Sequence, residues 1–218
     1  KILEPFIRSL VDRGERRRLA VLLHDAGSVN KVTQTLIEMV RGGIADVNLD
    51  ATVFYRGEPL DRTFLASLPF AVSPIENDGA FTLAVRERPF DYVMLFESSG
   101  MYRGEDIAVL ASHLAIGRLD AVWGSRRLSL RDIQESIRLM YSRAPFIGAI
   151  SAAGSHLLSL ACLVVYGRYI SDTLSGVRAI RAETVLDLEV PLTHKRANQH
   201  LLARLLRRKA DLLEIPVQ

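Results

Sequence analysis

The residues best suited to chemistry lie in the segment ISDTLSGVRAIR, at positions 170–181. A Ser-Asp-Thr turn and a Ser-Gly break precede two arginines, Arg178 and Arg181. The planar guanidinium fork suits phosphate, and a turn rich in hydroxyl groups and glycine offers backbone N–H groups to an anion. The pattern therefore predicts a site for a phosphorylated ligand. A turn that leads into a strand, with its arginines on the solvated edge, explains the same residues without a ligand.

The block at positions 171–178 resembles the SDT-x-SG-x-R motif of the family-2 glycosyltransferases, in their dolichol-phosphate mannosyltransferase-like branch. Four further blocks resemble that family in the same order. Positions 91–96 resemble the strand before its Asp-x-Asp metal motif, and positions 103–107 resemble the start of the next helix. Positions 120–127 resemble its D-x-V-x-GSR strand end, and positions 213–217 resemble its closing EIPV strand. The resemblance covers more than half of the chain, and five blocks in order are more specific than any one of them.

This resemblance implies an activity and a set of site residues. Enzymes of the family transfer a sugar from a nucleotide-sugar, and a divalent metal, Mg²⁺ or Mn²⁺, neutralises the diphosphate leaving group. Residue by residue, the resemblance implies sugar-donor or phosphate binding by Ser125, Arg126, Ser175 and Arg178. It implies a catalytic role for Asp172, which orients the substrate or acts as a base. The branch handles polyprenyl phosphates, so a lipid-phosphate or other acceptor and a membrane surface are the implied partners.

The metal motif departs from the family pattern. Aligned with the family, Asp-x-Asp falls on the residues Glu97, Ser98 and Ser99. Magnesium prefers hard oxygen ligands, normally carboxylates. Glu97 can coordinate a metal, whereas Ser99 carries no charge and is a much poorer ligand. We therefore expect a degenerate metal site at Glu97 and Ser99, with weakened affinity for Mg²⁺ or Mn²⁺.

The loops that hold the nucleoside in the family also differ here. The chain has LHDAG at positions 23–27 in place of Pro-x-x-Asn-Glu, and FYRGE at positions 54–58 in place of Asp-Asp-Gly-Ser. Asp25 and Glu58 can substitute from displaced positions, which makes them the nucleoside-side candidates. Two functions stay open: an active glycosyltransferase with an unusual sugar-donor site, and a catalytically inactive glycosyltransferase-like domain that binds or scaffolds.

Length and composition indicate a single α/β domain over residues 1–218, and the start at Lys1 without methionine is compatible with a fragment of a longer chain. The hydrophobic content of 49% is enough for a sizeable core, and the net charge of +3 suits anionic ligands or an anionic membrane surface. The basic runs at 16–18 and 204–209 are explained as a solvated turn and an outer helix face, so no nucleic acid is expected. The single cysteine, Cys162, excludes an internal disulfide and is compatible with a reducing cytoplasm.

Strand-like and helix-like segments alternate along the chain. Short apolar runs predict strands at positions 19–23, 51–55, 70–72, 92–96, 121–124 and 213–217. Helical spacing predicts helices at positions 2–11, 32–40, 80–87, 105–116, 130–141 and 198–208. This alternation predicts a mostly parallel sheet flanked by helices, and the resemblance implies that it is a GT-A-like nucleotide-binding sandwich. In such sheets ligands bind at the carboxyl ends of the strands.

The apolar segment at positions 145–167 contains no charged side chain and is long enough to span a bilayer. A buried helix pair is the interpretation that we favour. A transmembrane helix is disfavoured by the glycines, serines and histidine within the segment. An interfacial helix that docks the domain on a membrane is the third interpretation. The resemblance to enzymes of polyprenyl phosphates supports it, together with a peripheral position on the inner face of a membrane.

Overall fold

The computed structural model describes residues 16–116, 119–127, 145–186, 192–193 and 195–217. The helices predicted at positions 2–11 and 130–141 lie outside these described residues. Within the described residues the chain forms one seven-stranded sheet with helices packed on both faces. The predicted α/β sandwich is therefore confirmed.

The sheet is mostly parallel. Its strands are β1 Arg17–His24, β2 Leu49–Tyr55, β3 Ala71–Pro74, β4 Tyr92–Glu97, β5 Ala121–Ser125, β6 Val177–Arg181 and β7 Leu212–Pro216. They follow the order β3-β2-β1-β4-β6-β5-β7 across the sheet. Strand β6 runs antiparallel to β4 and β5, and the other pairings are parallel. The six predicted strands are confirmed, and β6 begins inside the block that resembles the SDT-x-SG-x-R motif.

The helices lie between these strands. They are α1 Val29–Arg41, α2 Arg62–Ala66, α3 Asp78–Glu87, α4 Glu105–Ile116, α5 Pro145–Tyr166, α6 Ala182–Leu186 and α7 Lys195–Arg207, with a 3-10 turn at Ile44–Asp46. Helix α3 starts before the predicted position 80, because the Asn77 side chain caps its first turn by accepting a hydrogen bond from Ala80 N at 3.0 Å. Helices α2 and α6 are too short to leave a periodic pattern in the sequence.

Strand β1 is buried on both faces of the sheet. Its residues Leu19 to Leu23 are at most 1% exposed, which explains why the strand is a continuous apolar run. Helices α1 and α4 cover one face, and α3, α6 and α7 cover the other. Two apolar layers therefore fix the strand ends and the loops that follow them.

Helix α5 corrects the expected buried helix pair, because a single helix spans Pro145–Tyr166. Leu157 and Val164 on its outer face are 72% and 82% exposed. Ser159, on the inner face, is fully buried, and Cys162 is half-buried. Between positions 157 and 165 the helix thus presents several aliphatic side chains to the outside. No helix in the part of the chain that the structure describes is long and apolar enough to cross a membrane.

Candidate functional site

Four strand ends meet at one edge of the sheet. Strands β1, β4 and β5 point the same way, so their carboxyl ends share this edge, and the antiparallel β6 begins there. The register places His24 beside Glu97 and Phe96 beside Val177. The loop at positions 171–176 therefore lies against the ends of β4 and β5. This is the carboxyl edge of the sheet, where the alternating pattern of strands and helices predicts that ligands bind.

Arg126 and Asp172 form an ion pair at this edge. The Arg126 Nε donates to Asp172 Oδ2 at 3.1 Å, and the Arg126 backbone N–H donates to the same oxygen at 3.4 Å. Asp172 is 1% exposed, and the Trp123 indole N–H donates to its backbone carbonyl at 2.8 Å. Burial acts to lower the pKa of Arg126, but the Asp172 carboxylate and the Tyr102 phenol outweigh it, so the pKa is raised. The guanidinium is therefore charged and held by a buried carboxylate.

Tyr102 is a site residue that the sequence interpretation missed. The Arg126 guanidinium carbon lies 5.1 Å from the centre of its ring, a cation–π distance. The Tyr102 hydroxyl accepts a hydrogen bond from Gly176 N at 2.8 Å. Burial is the main cause that raises the pKa of Tyr102 to about 12, so the phenol stays neutral. It joins Arg126 to the turn before β6, and a lone aromatic residue in a loop has no spacing that would reveal this.

Glu97 and Ser99 lie together at the end of β4. Ser99 Oγ donates to Glu97 Oε1 at 2.6 Å, and Glu97 N donates to Gly176 O at 3.1 Å. A Cβ atom on Gly176 would lie 2.8 Å from Glu97 Cβ and 3.0 Å from Tyr102 Cε2. Position 176 therefore requires glycine, because the turn before β6 packs directly against the Glu97 side chain.

These residues fit a divalent metal poorly. Glu97 offers one carboxylate, and the Ser99 hydroxyl is already bonded to it. Magnesium and manganese sites draw on several oxygen ligands, carboxylates among them. Among the described residues, no three His, Cys, Asp or Glu side chains are placed to share an ion. These protein side chains alone do not form a metal site.

Arg178 lies beneath the site. It is 2% exposed, and its guanidinium donates to the carbonyls of Ser175 and Leu192 at 3.0 and 3.2 Å. Burial lowers the pKa of Arg178 to about 10, and Tyr102 and Glu97 act in the opposite direction. The side chain is therefore a cation at neutral pH. Its burial leaves no guanidinium surface for the direct phosphate contact predicted from the sequence, and its hydrogen bonds give it the role of holding two loops.

The two serines predicted to bind phosphate are buried as well. Ser175 Oγ makes hydrogen bonds of 3.1 Å with the backbone N–H and carbonyl of Val177. Ser125 Oγ lies 2.6 Å from Ser171 Oγ, which in turn donates to Glu214 at 2.7 Å. Both Ser125 and Ser175 are 0% exposed. Their hydroxyl groups therefore fix the backbone of the loops in this structure.

The nucleoside-side candidates lie at the end of β1 and after β2. The Asp25 side chain is 68% exposed, its φ is 54°, and its Oδ2 lies 3.0 Å from His24 Nδ1. Burial lowers the pKa of His24, although the hydrogen bond to Asp25 raises it in part. Glu58 is exposed and has no hydrogen bond or ion pair with the described residues. No hydrogen bond joins either carboxylate to Glu97 in the described structure, and their nucleoside role stays a prediction.

Arg56, at the position of a family carboxylate, is paired. It forms an ion pair with Asp78 at the start of α3. Asp78 is buried and also accepts hydrogen bonds from Thr193 N at 3.1 Å and Thr193 Oγ1 at 2.6 Å. The loop after β2, the start of α3 and the segment at Thr193 are joined in this way. No sequence spacing reveals it, because Asp78 and Thr193 are 115 positions apart.

The sheet order, the antiparallel β6 and the loops gathered at the carboxyl edge define the class as the GT-A glycosyltransferase fold. Glucosyl-3-phosphoglycerate synthase from Mycobacterium tuberculosis with Mg²⁺ and UDP is similar at a TM-score of 0.57 and 15% identity, over 97% of this chain and 73% of that chain. Its complex with Mn²⁺, UDP and phosphoglyceric acid matches at a TM-score of 0.54 and 15% identity, over 95% and 70%.

Mannosyltransferase PcManGT from Pyrobaculum calidifontis with GDP-Man and Mn²⁺ is similar at a TM-score of 0.52 and 12% identity, over 94% of this chain and 56% of that chain. At such identities the likeness shows the fold. No protein-family model matches the chain, and no curated protein sequence matches it significantly.

Proposed function

We propose that this protein transfers a sugar from a nucleotide-sugar to a phosphorylated acceptor. The observation that carries the proposal is the Arg126–Asp172 ion pair at the carboxyl edge of a GT-A sheet, with Tyr102 and Glu97 beside it. Ligands of open α/β sheets bind at this edge. Solved transferases of the same fold hold UDP or GDP-Man. We therefore place the diphosphate of the sugar donor against Arg126.

Arg126 has the geometry for this contact. Its side chain is 17% exposed, and its Nε is committed to Asp172. Its two terminal Nη groups have no hydrogen-bond partner among the residues described, so they can donate to two diphosphate oxygens. Because Asp172 holds the guanidinium before the sugar donor binds, little rearrangement is needed when charge develops on the departing diphosphate. Asp172 then acts as a positioning residue, and an ionised phosphate acceptor needs no strong base.

A second positive charge lies below the first. Arg178 remains a cation at neutral pH, since its pKa of about 10 is well above neutrality. In the interior, where charges are weakly screened, its field acts on Glu97 and His24. We assign the neutralisation of the diphosphate to these two arginines. No step is derived from a metal, because Asp172 is paired with Arg126 and no three metal-ligating side chains of the described residues are placed to share an ion.

For the acceptor we propose a lipid phosphate at a membrane surface. The resemblance at positions 171–178 supports it, as does the outward aliphatic face of α5. This helix is tied to the site, because the Arg127 guanidinium donates to Ser155 Oγ in α5. The same observations are the ground for proposing the dolichol-phosphate mannosyltransferase-like branch and a peripheral position on a membrane. A small phosphorylated acceptor, like the phosphoglyceric acid of the mycobacterial complex, is the alternative.

The departures on the nucleoside and metal side favour a second function, a glycosyltransferase-like domain that binds or scaffolds without turnover. Ser99 replaces a metal carboxylate of the family and is bonded to Glu97. Arg56 replaces a carboxylate near the nucleoside and is bonded to Asp78. Both changes weaken the contacts that hold a nucleotide-sugar and its metal.

Turnover separates the two functions. UDP-glucose or GDP-mannose is incubated with polyprenyl phosphate in vesicles or with 3-phosphoglycerate, and release of the nucleoside diphosphate is measured. We expect release that depends on one acceptor and falls by about 100-fold in Arg126→Ala. Arg62→Ala, at an exposed arginine of α2, is the matched control and should keep full activity. Binding of a nucleotide without release of the nucleoside diphosphate would favour the scaffolding function over the transferase. If the protein bound neither nucleotide, both functions would be rejected.

A further inference from the structure

A separate cavity of about 430 Å³ opens at the opposite edge of the sheet. It lies where the parallel strands β1, β2 and β3 begin, and its lining includes Arg18, residues 49–52 and Ala71. The candidate active site lies where β1 and β4 end. The eight residues of β1 separate the two edges by roughly 25 Å. The cavity is therefore not part of the site described above.

Three arginines that have no side-chain partner in the described part of the chain line this cavity. Arg16, Arg18 and Arg88 are all exposed and contribute three positive charges, and Asp50 contributes one negative charge. Arg18 and Asp50 are register partners on β1 and β2, yet no ion pair joins them. None of the three guanidinium groups has a hydrogen-bond or ion-pair partner among the described residues. Like charges around one concavity repel each other, and a bound anion relieves that repulsion.

The remaining walls are largely apolar. Leu49, Phe70 and Phe90 are half-buried or buried and line the same cavity, together with Ile44 and Pro69. Small-molecule pockets combine apolar walls with a few charged groups, as this cavity does. A surface that binds a membrane or a nucleic acid is usually flat and basic and lacks such apolar walls. The volume also falls within the usual range for such pockets, about 300–1,000 Å³.

We propose that this cavity binds a small phosphorylated molecule that carries an aromatic or apolar part, of the size of a nucleoside monophosphate. The guanidinium groups of Arg18 and Arg88 hold the phosphate through paired hydrogen bonds, and Phe70 and Phe90 contact the apolar part. This second site goes beyond the proposed transfer reaction and does not depend on it. Its distance from the carboxyl edge makes it suited to a ligand other than the sugar donor or acceptor.

Phenyl phosphate tests the cavity because it joins one phosphate to one aromatic ring. Calorimetry on the full chain should show binding, with inorganic phosphate and phenol each weaker. The double variant Arg18→Ala with Arg88→Ala should lose at least about tenfold in affinity, since hydrogen bonds to charged groups are removed. The matched control Arg207→Ala, at the exposed end of α7, should bind as the wild type does.

The location of binding is read from amide chemical shifts. Phenyl phosphate should move the signals of Thr52, Ala71 and Phe90, and leave that of Gly176 in place. Absence of binding at millimolar concentration would overturn the proposal. So would shifts confined to the carboxyl edge, or equal affinity in the double variant. Unchanged thermal unfolding of the double variant, followed by Trp123 fluorescence, would show that the loss is not a folding defect.

Discussion

Replacing Gly176 with alanine should lower both the stability of the protein and its affinity for nucleotides. The new Cβ atom would lie 2.8 Å from Glu97 Cβ and 3.0 Å from Tyr102 Cε2. Both distances are shorter than the optimal separation of about 3.5–4.0 Å between carbon atoms. The end of the Glu97 side chain can rotate away, but its Cβ can move only with the β4 backbone. Overpacking of this kind costs about 1–3 kcal/mol.

The same substitution can also break the hydrogen bond between Gly176 and Tyr102. Gly176 N donates to the Tyr102 hydroxyl, and a net loss of about 0.5–1.5 kcal/mol follows if the turn is displaced. Together the two effects predict a decrease of about 1.5–4.5 kcal/mol in the free energy of unfolding. Because Tyr102 also contacts the Arg126 guanidinium, nucleotide affinity should fall by at least about tenfold.

Trp123 provides the assay. It is the only tryptophan of the chain and is fully buried next to Asp172, so its fluorescence reports unfolding in urea. Gly154→Ala is the matched control: Gly154 lies in α5 with nothing within 4 Å of its added Cβ. That variant should be as stable as the wild type or gain up to about 1 kcal/mol. The reasoning is refuted if Gly176→Ala unfolds at the wild-type urea concentration and binds UDP and GDP with unchanged affinity.

Three further substitutions test neighbouring residues. Arg178→Met should lower the free energy of unfolding by about 2–4 kcal/mol in urea titrations, because two carbonyls lose a charged donor; wild-type stability would contradict its loop-holding role. Below pH 6.5 the unfolded state protonates His24 while burial keeps the folded imidazole neutral, so stability falls as pH falls, by at most about 1.4 kcal/mol per pH unit. His24→Gln should flatten that slope in urea unfolding at several pH values, and an unchanged slope would refute it. Ser99→Asp should raise Mn²⁺ affinity in calorimetry if Glu97 is otherwise competent, and no gain would mean that further ligands are lacking.

Periodicity and strand composition were sufficient to predict the fold. The apolar run at positions 19–23 forms the core of β1, and the helix predicted at 105–116 is α4. Both could be predicted because their buried residues leave a clear apolar pattern in the sequence. Glu97 and Arg126 lie at the ends of two predicted strands that run the same way, so their shared edge could be expected from the sequence. Asp172 precedes the antiparallel β6, which was not among the predicted strands. The prediction of a buried helix pair at positions 145–167 was wrong, because the segment forms the single helix α5. A run without charged residues indicates apolar surroundings, but it does not tell which side of a helix packs against the sheet.

Side-chain roles at the site were harder to predict. Arg178 fits the phosphate motif in sequence, yet strand alternation turns it inward beside Trp123, where it bonds to carbonyls. The roles of Tyr102 and Asp78 were not predicted, because their hydrogen-bond partners Gly176 and Thr193 lie far away in the chain. Such contacts depend on how loops from distant segments pack, which no local spacing encodes.

Titration of UDP and of GDP into the wild type and into Arg126→Lys is the most direct test of the diphosphate site. Lysine keeps the positive charge that the buried Asp172 needs, but it lacks the planar fork that reaches two oxygens. We predict that the wild type binds at least one nucleotide, that Arg126→Lys weakens this binding by about tenfold or more, and that stability changes by less than about 1 kcal/mol. Equal affinity in the two proteins, or no binding to the wild type, would contradict the assignment of Arg126 as the diphosphate ligand.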